Sequence, residues 1–195
     1  MGFCDLPQIT DDGRTYTFKL RKDLKWHDGQ PVTSRDAAFT VRTLTSSDFG
    51  GDQTLAEGWR GADIDVPDDQ TFVVKLRQAS APFLARSATI GILPEHLLGN
   101  IPVRQLEDTP FNAAPVGTGP YKVQSLDSRE ARLVANPDYH LGRPGVEHLT
   151  LKFYTDDASA TRALQSGDVL EVSAAHAEVA DHVTAARSTV PLLQR

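Results

Sequence analysis

The chain has one cysteine, one methionine and no long apolar run. A single thiol, Cys4, closes no internal disulfide and builds no multi-cysteine metal site. Met1-Gly2-Phe3 offers no hydrophobic signal ahead of it, so a lipid-anchor role for that thiol is a poor reading and an incidental one is favoured. No stretch approaches the ~20 apolar residues of a membrane-spanning helix. Positive charge is also short. Twenty Lys and Arg stand against 26 Asp and Glu, a formal net charge of −6, which argues against a general nucleic-acid binder.

Motifs that would carry chemistry are missing or incomplete. Gly117-Thr118-Gly119 invites a phosphate-loop reading, but the P-loop lysine is absent and Pro120 follows at once. A dinucleotide fingerprint would need a third glycine opening a helix. A tight backbone crossing is the better reading of these glycines. Of the six histidines, His27, His96, His140 and His148 sit in separate elements, while His176 and His182 are six apart, not the three or four of a helical metal pair. His27 reads as turn packing and the others as exposed surface. No metal site and no cofactor is expected. Asp11-Asp12, Asp68-Asp69 and Asp156-Asp157 lie at turns or helix starts, where aspartate serves local hydrogen bonds and the helix dipole. No Gly-x-Ser-x-Gly elbow is present.

What is present is a soluble-type composition, 39% hydrophobic and 24% charged, with enough length to bury a core. Tyr16, Phe18 and Leu20 alternate with polar neighbours, as do Phe72, Val74 and Leu76, and each run reads as a half-buried strand. Ile64 and Val66 form a hairpin with the second run across Pro67-Asp68-Asp69. Thr33 or Ser34 caps a helix over 34–46 with Ala37, Val41 and Leu44 on one face, and Asp36 completes a near capping box. Residues 47–61 read as a loop, 80–89 and 94–99 as short helices, and 100–119, rich in Pro and Gly, as an extended crossing segment. Strands over 120–126, 129–135 and 147–154 follow. A helix then runs from Asp156 or Asp157 to Gly167, with a short strand Val169–Val172 and a helix Ala175–Ala186 after it.

The order of residues says more than the pattern. Tyr16-Thr17-Phe18, Leu20-Arg21, Trp26-His27-Asp28-Gly29, Pro31-Val32-Thr33 and Asp36 resemble the signature of family 5 extracellular solute-binding proteins, the oligopeptide, dipeptide and nickel receptors of ABC importers. Later segments are similar to that family in the same order: Asp69–Leu76, Ile92–Leu98, Pro115-Val116-Gly117-Thr118-Gly119-Pro120-Tyr121, Asn136-Pro137-Asp138-Tyr139 and Ala163–Asp168. The resemblance covers residues 7–172.

This resemblance implies an α+β (mixed α/β) fold of the periplasmic binding protein-like type II class. It implies a fragment: residues 1–105 as the small inserted domain and 106–195 as part of lobe I, without the start of that lobe and without the second. It further implies no catalysis, an extracytoplasmic setting, a peptide or other small-molecule ligand, ABC permease subunits as partners, and membrane contact only through the permease or a lipid anchor outside this chain. A chain with one wall of a two-lobed cleft is expected to bind ligand weakly or not at all. Phe49 and Trp59 in the 47–61 loop, and Gly117, Thr118, Gly119 and Tyr121, are the candidate substrate-binding residues. For Trp59 the competing reading is a loop anchor on its own domain, and Tyr121 also reads as core. Two other functions stay open at this point: a hydrolase acting on peptides or glycans, and a structural interaction domain.

Overall fold

The computed structural model describes Cys4, residues 6–87 and residues 89–171. Packing divides the chain into two compact units. One takes the chain through Leu126 together with Arg132–Leu149; the other takes Asp127–Ala131 and the chain from Thr150.

The first unit is built on a four-stranded antiparallel sheet of Gln8–Thr10 (β1), Thr15–Lys19 (β2), Asp63–Asp68 (β3) and Thr71–Lys75 (β4), in the order β1-β2-β4-β3. The period of two puts Tyr16 opposite Val74 and Phe18 opposite Phe72, all four buried. The β3–β4 turn is closed by Asp68, whose Oδ1 accepts from the Gln70 amide at 2.8 Å and from the Thr71 hydroxyl at 2.8 Å. Strand β1 escapes sequence reading because it is three exposed residues with no alternation. It is turned onto β2 by Asp11 and Asp12 at φ 56° and 52° and Gly13 at φ 83°, and aspartate is among the residues that tolerate the left-handed region.

Helix α1, Ser34–Thr45, lies against β3 and β4 and buries Ala38, Phe39, Val41 and Leu44. The core beneath it is aromatic. Trp59 is only 4% exposed, with its ring 5.0 Å from Phe83 edge-on and 6.4 Å from Phe72; Tyr16 stands 4.9 Å from Phe83. The 47–61 loop is therefore pinned from below by its own tryptophan, and it contains a 3-10 turn at Gln53–Ala56. An apolar cavity of about 90 Å³ remains among Cys4, Phe18, Trp59, Ile90 and Ile92.

One carboxylate joins these parts. Asp36 is 3% exposed. Its Oδ2 accepts from the Thr33 amide at 2.8 Å, closing the capping box, and from the Trp26 indole N–H at 3.4 Å. Its Oδ1 accepts from the Glu95 amide at 2.8 Å, where the short helix α2, Glu95–Leu98, begins behind Pro94.

The crossing segment is less extended than its prolines suggest. It winds through 3-10 turns at Val103–Asp108 and Pro110–Asn112, straightens at 115–117 and bends again over 118–120. Tyr121–Leu126 (β5), Glu130–Ala135 (β6) and His148–Lys152 (β7) then form a three-stranded sheet in that order. All five residues of β7 are exposed, so the alternation of Leu149 and Leu151 meets no inward face here. Helix α3, Asp157–Ser166, is capped by Asp156, whose Oδ1 accepts from the Ser159 amide at 2.8 Å, and ends at Gly167 with φ 82°. Residues 169–171 form no strand, which corrects the reading of Val169–Val172 over its described part; the Ala175–Ala186 helix lies outside the described residues.

Replacing Asp36 by Ala should cost about 3 kcal/mol of stability, from two charge-assisted backbone bonds of roughly 1.5 kcal/mol each. Asp36→Asn should cost about half as much. Urea midpoints check both, and a loss below about 0.5 kcal/mol for the Ala variant would remove Asp36 from this role.

Candidate functional site

The segment Pro115–Pro120 carries no ionisable side chain, so its position is set by what grips it. The grip comes from the Trp26-His27-Asp28-Gly29 turn. Trp26, 3% exposed, holds that turn to the core, and Gly29 closes it at φ 91° with its amide on the Trp26 carbonyl at 2.9 Å. His27, half-buried, then clasps the crossing segment on both edges. Its amide donates to the Gly117 carbonyl at 2.8 Å, and the Gly117 amide donates back to His27 Nδ1 at 3.1 Å. Its Nε2 lies 3.0 Å from the Gly119 carbonyl. Nδ1 must be bare to accept an amide proton and Nε2 must carry hydrogen to donate to a carbonyl, so the pairing assigns the neutral Nε2–H tautomer.

Three further groups brace the clasp. Lys122 Nζ donates to the His27 carbonyl at 2.8 Å. Asn136, 2% exposed, donates from Nδ2 to the Gly119 carbonyl at 3.1 Å and from its amide to the Pro120 carbonyl at 2.8 Å, while its Oδ1 accepts from the Asp138 amide at 3.2 Å. Asp28 Oδ2 meets His96 Nε2 at 2.7 Å. Burial pushes the Asp28 pKa up, but the bonds from His96 and the Gln30 amide outweigh it and leave the carboxyl below its ordinary 3.8. For His27, burial lowers the pKa from its ordinary 6.5, and Lys122 adds to this; the Gly119 carbonyl and the Asp28 charge oppose it.

The expected site residues fall into separate surroundings. Gly117, Thr118 and Gly119 are half-buried in the clasp. A Cβ at Gly117 would touch the His27 ring at 3.4 Å, whereas one at Gly119 would meet nothing within 4 Å, so the crossing is close at the first glycine and open at the second. Tyr121 is half-buried, and its hydroxyl donates to the Val146 carbonyl at 3.0 Å. Phe49 folds over its own loop, its ring where a Cβ on Gly51 would have to go. Trp59 sits in the core, the arrangement of a loop anchor.

His27 does more than pack a turn. Lys122 and Asn136 were not among the expected site residues, because pairing with His27, 95 residues away, and with Gly119, 17 residues away, leaves no local pattern. His140 departs from the surface reading: it is half-buried, and both ring nitrogens are shielded without a hydrogen-bond partner. Among the described residues no group of three or more His, Cys, Asp or Glu is placed to hold a metal, and no helix is long and apolar enough to cross a membrane.

A match to the bacterial extracellular solute-binding proteins, family 5, spans residues 5–189. The chain belongs to this family. The oligopeptide-binding protein AppA of Bacillus subtilis is 33% identical over 162 residues, 82% of this chain and 30% of that protein. The structure of AppA in complex with a nonapeptide superposes with a TM-score of 0.79 at 31% identity, covering 87% of this chain and 34% of that one. NikZ of Campylobacter jejuni, solved with Ni(L-His), superposes with a TM-score of 0.77 at 25% identity, covering 86% and 33%. The mixed helix-and-sheet fold is that of the type II periplasmic binding proteins. This family 5 chain spans about a third of the length of the curated relatives it matches. Family members are solute-binding receptors.

Truncating Asn136 to Ala should cost about 1–3 kcal/mol, since it removes the amide that satisfies the Gly119 carbonyl and the acceptor for the Asp138 N–H. Thermal or urea unfolding reads the loss. A neutral result would show that the clasp does not depend on this residue.

Proposed function

We propose that this chain is part of a receptor that captures a peptide or another small solute outside the cytoplasm and delivers it to ABC permease subunits. The observation that carries the reading is the family 5 match over residues 5–189, joined to a fold shared with a protein solved around a nonapeptide. Such a role needs no bond to be made or broken. It needs a concave wall, hydrogen-bonding groups for an extended ligand, and a second wall that closes on it.

Within that reading, Gly117, Thr118 and Gly119 present backbone to the ligand, and the open space beside Gly119 supports this. Tyr121 borders them, Phe49 presents a ring from the 47–61 loop, and Trp59 supports that loop from beneath. We further propose residues 1–105 as an inserted small domain and 106–195 as part of the first lobe. Sheet β1-β2-β4-β3 and helices α1 and α2 all precede that boundary, and β5 to β7 follow it. Neither metal, cofactor nor nucleic acid enters the proposal. Contact with a membrane runs through the permease or an anchor outside this chain.

Native mass spectrometry of the complete gene product should find a retained small organic ligand or peptide. Calorimetry of the 195-residue chain with that ligand should show no micromolar binding. Micromolar affinity in the chain alone would overturn the two-wall site. Turnover of chromogenic peptide or glycan substrates, lost on replacing one Ser, Asp or His, would favour the hydrolase instead. Gly119→Ala offers a sharper check. It should leave stability within about 1 kcal/mol while weakening ligand binding by the complete protein about tenfold or more.

A further inference from the structure

We propose that His27 is a proton-sensitive positioning residue: neutral, its ring holds both edges of Gly117–Gly119, and protonated, it gives up its bond to the Gly117 amide. The inference deepens the receptor reading above and rests on it only for its consequence to ligand binding; the latch itself needs no ligand.

The geometry sets the logic. Nδ1 accepts the Gly117 amide and Nε2–H serves the Gly119 carbonyl, so the two ring nitrogens have opposite tasks. A proton on Nδ1 converts the acceptor into a donor facing another donor. The Gly117 amide then loses its partner, and two N–H groups 3.1 Å apart at their nitrogens must separate. The Gly119 bond survives, because Nε2–H donates in both forms. Protonation therefore does not dissolve the clasp evenly. It frees the Gly117 amide, while the Gly117 carbonyl keeps the His27 backbone amide and the Gly119 edge stays tied to His27 and Asn136.

The charges around the ring oppose the protonated form on balance. Lys122 on β5 holds its ammonium on the His27 carbonyl and adds repulsion to any new positive charge. Asp28, on the same turn, acts in the other direction, but its carboxylate is engaged by His96 of α2. Pro115–Pro120 contributes no titratable group. Burial pushes the His27 pKa below 6.5, in agreement with the geometry. With the folded value depressed, the contribution of His27 to stability is complete above 6.5. It is lost as pH falls from there through the folded value, because the unfolded chain takes up the proton first.

The test uses the 195-residue chain with isotope-labelled histidine. NMR should show His27 as the Nε2–H tautomer at neutral pH, titrating below 6.5. The protection factor of the Gly117 amide should fall about tenfold through that titration, while that of the Asn136 amide, bonded to the Pro120 carbonyl, stays level. In His27→Gln, a neutral side chain with both donor and acceptor, Gly117 protection should no longer change over the same pH range. In His27→Ala it should be low throughout. Should either variant fail to fold, the wild-type titration and exchange still decide the matter. The proposal falls if His27 titrates at or above 6.5, if Gly117 protection is flat through the titration, or if His27→Gln keeps the wild-type pH dependence. In the complete protein, bound ligand should be retained less well at acid pH, and His27→Gln should remove that dependence. A confirmed latch without this last effect would refute the receptor role of the segment and leave the latch standing.

Discussion

The carboxylate of Asp36 ties the helices of the core to the turn that grips the candidate site. It is buried, and burying a carboxylate is tolerable only where donors converge on it. Here they come from three directions: the start of α1, the indole of Trp26 and the start of α2. Because Trp26 is held, the turn behind it is held, and His27 is presented at one place. The Gly117–Gly119 segment takes its position from His27 in turn. A backbone segment with no ionisable side chain is thus positioned in part through a buried carboxylate two steps away in the core.

This arrangement explains why glycine, histidine and asparagine meet at the crossing. A segment between prolines has few amides to spare and several carbonyls to satisfy. The His27 and Asn136 side chains both donate to the Gly119 carbonyl, their backbone amides serve the carbonyls of Gly117 and Pro120, and Lys122 covers the carbonyl of His27. Gly117 has room for little beside the His27 ring, while Gly119 faces open space. The two glycines of one short motif therefore answer to different constraints, one set by packing within the chain and the other free to answer to something outside it.

Much of the fold was legible in the sequence, and the reasons are local. Alternation in Tyr16–Leu20 and Phe72–Leu76, the Pro67-Asp68-Asp69 turn and the Thr33–Asp36 box each act over a few residues, and each formed as read. Strand β1 was missed because three residues hold no period; it exists by pairing with β2. The short helix read over 80–89 is a π-helical turn at Phe83–Ser87, and the segment read as extended over 100–119 holds 3-10 turns around Pro102 and Pro110, which follow from tertiary packing that composition does not show. The clasp was the least legible part. Its partners are some 90 residues apart, and nothing in Trp26-His27-Asp28-Gly29 announces that the imidazole will be spent on a distant backbone.

The 47–61 loop is a place where the local signal leaves two readings open. Ser, Gly and Asp around Phe49 and Trp59 suit either aromatic side chains that meet a ligand or a loop anchored by its own tryptophan. The aromatic residues are not equivalent, however. Burial of Trp59 against Phe72 and Phe83 removes far more apolar surface from water than an exposed contact would, and it fixes the loop at one end. Phe49, left to cover Gly51, has no such anchor. A polar loop can thus be ordered by a single core residue. The shape of the 47–61 loop is then the one Trp59 imposes from beneath.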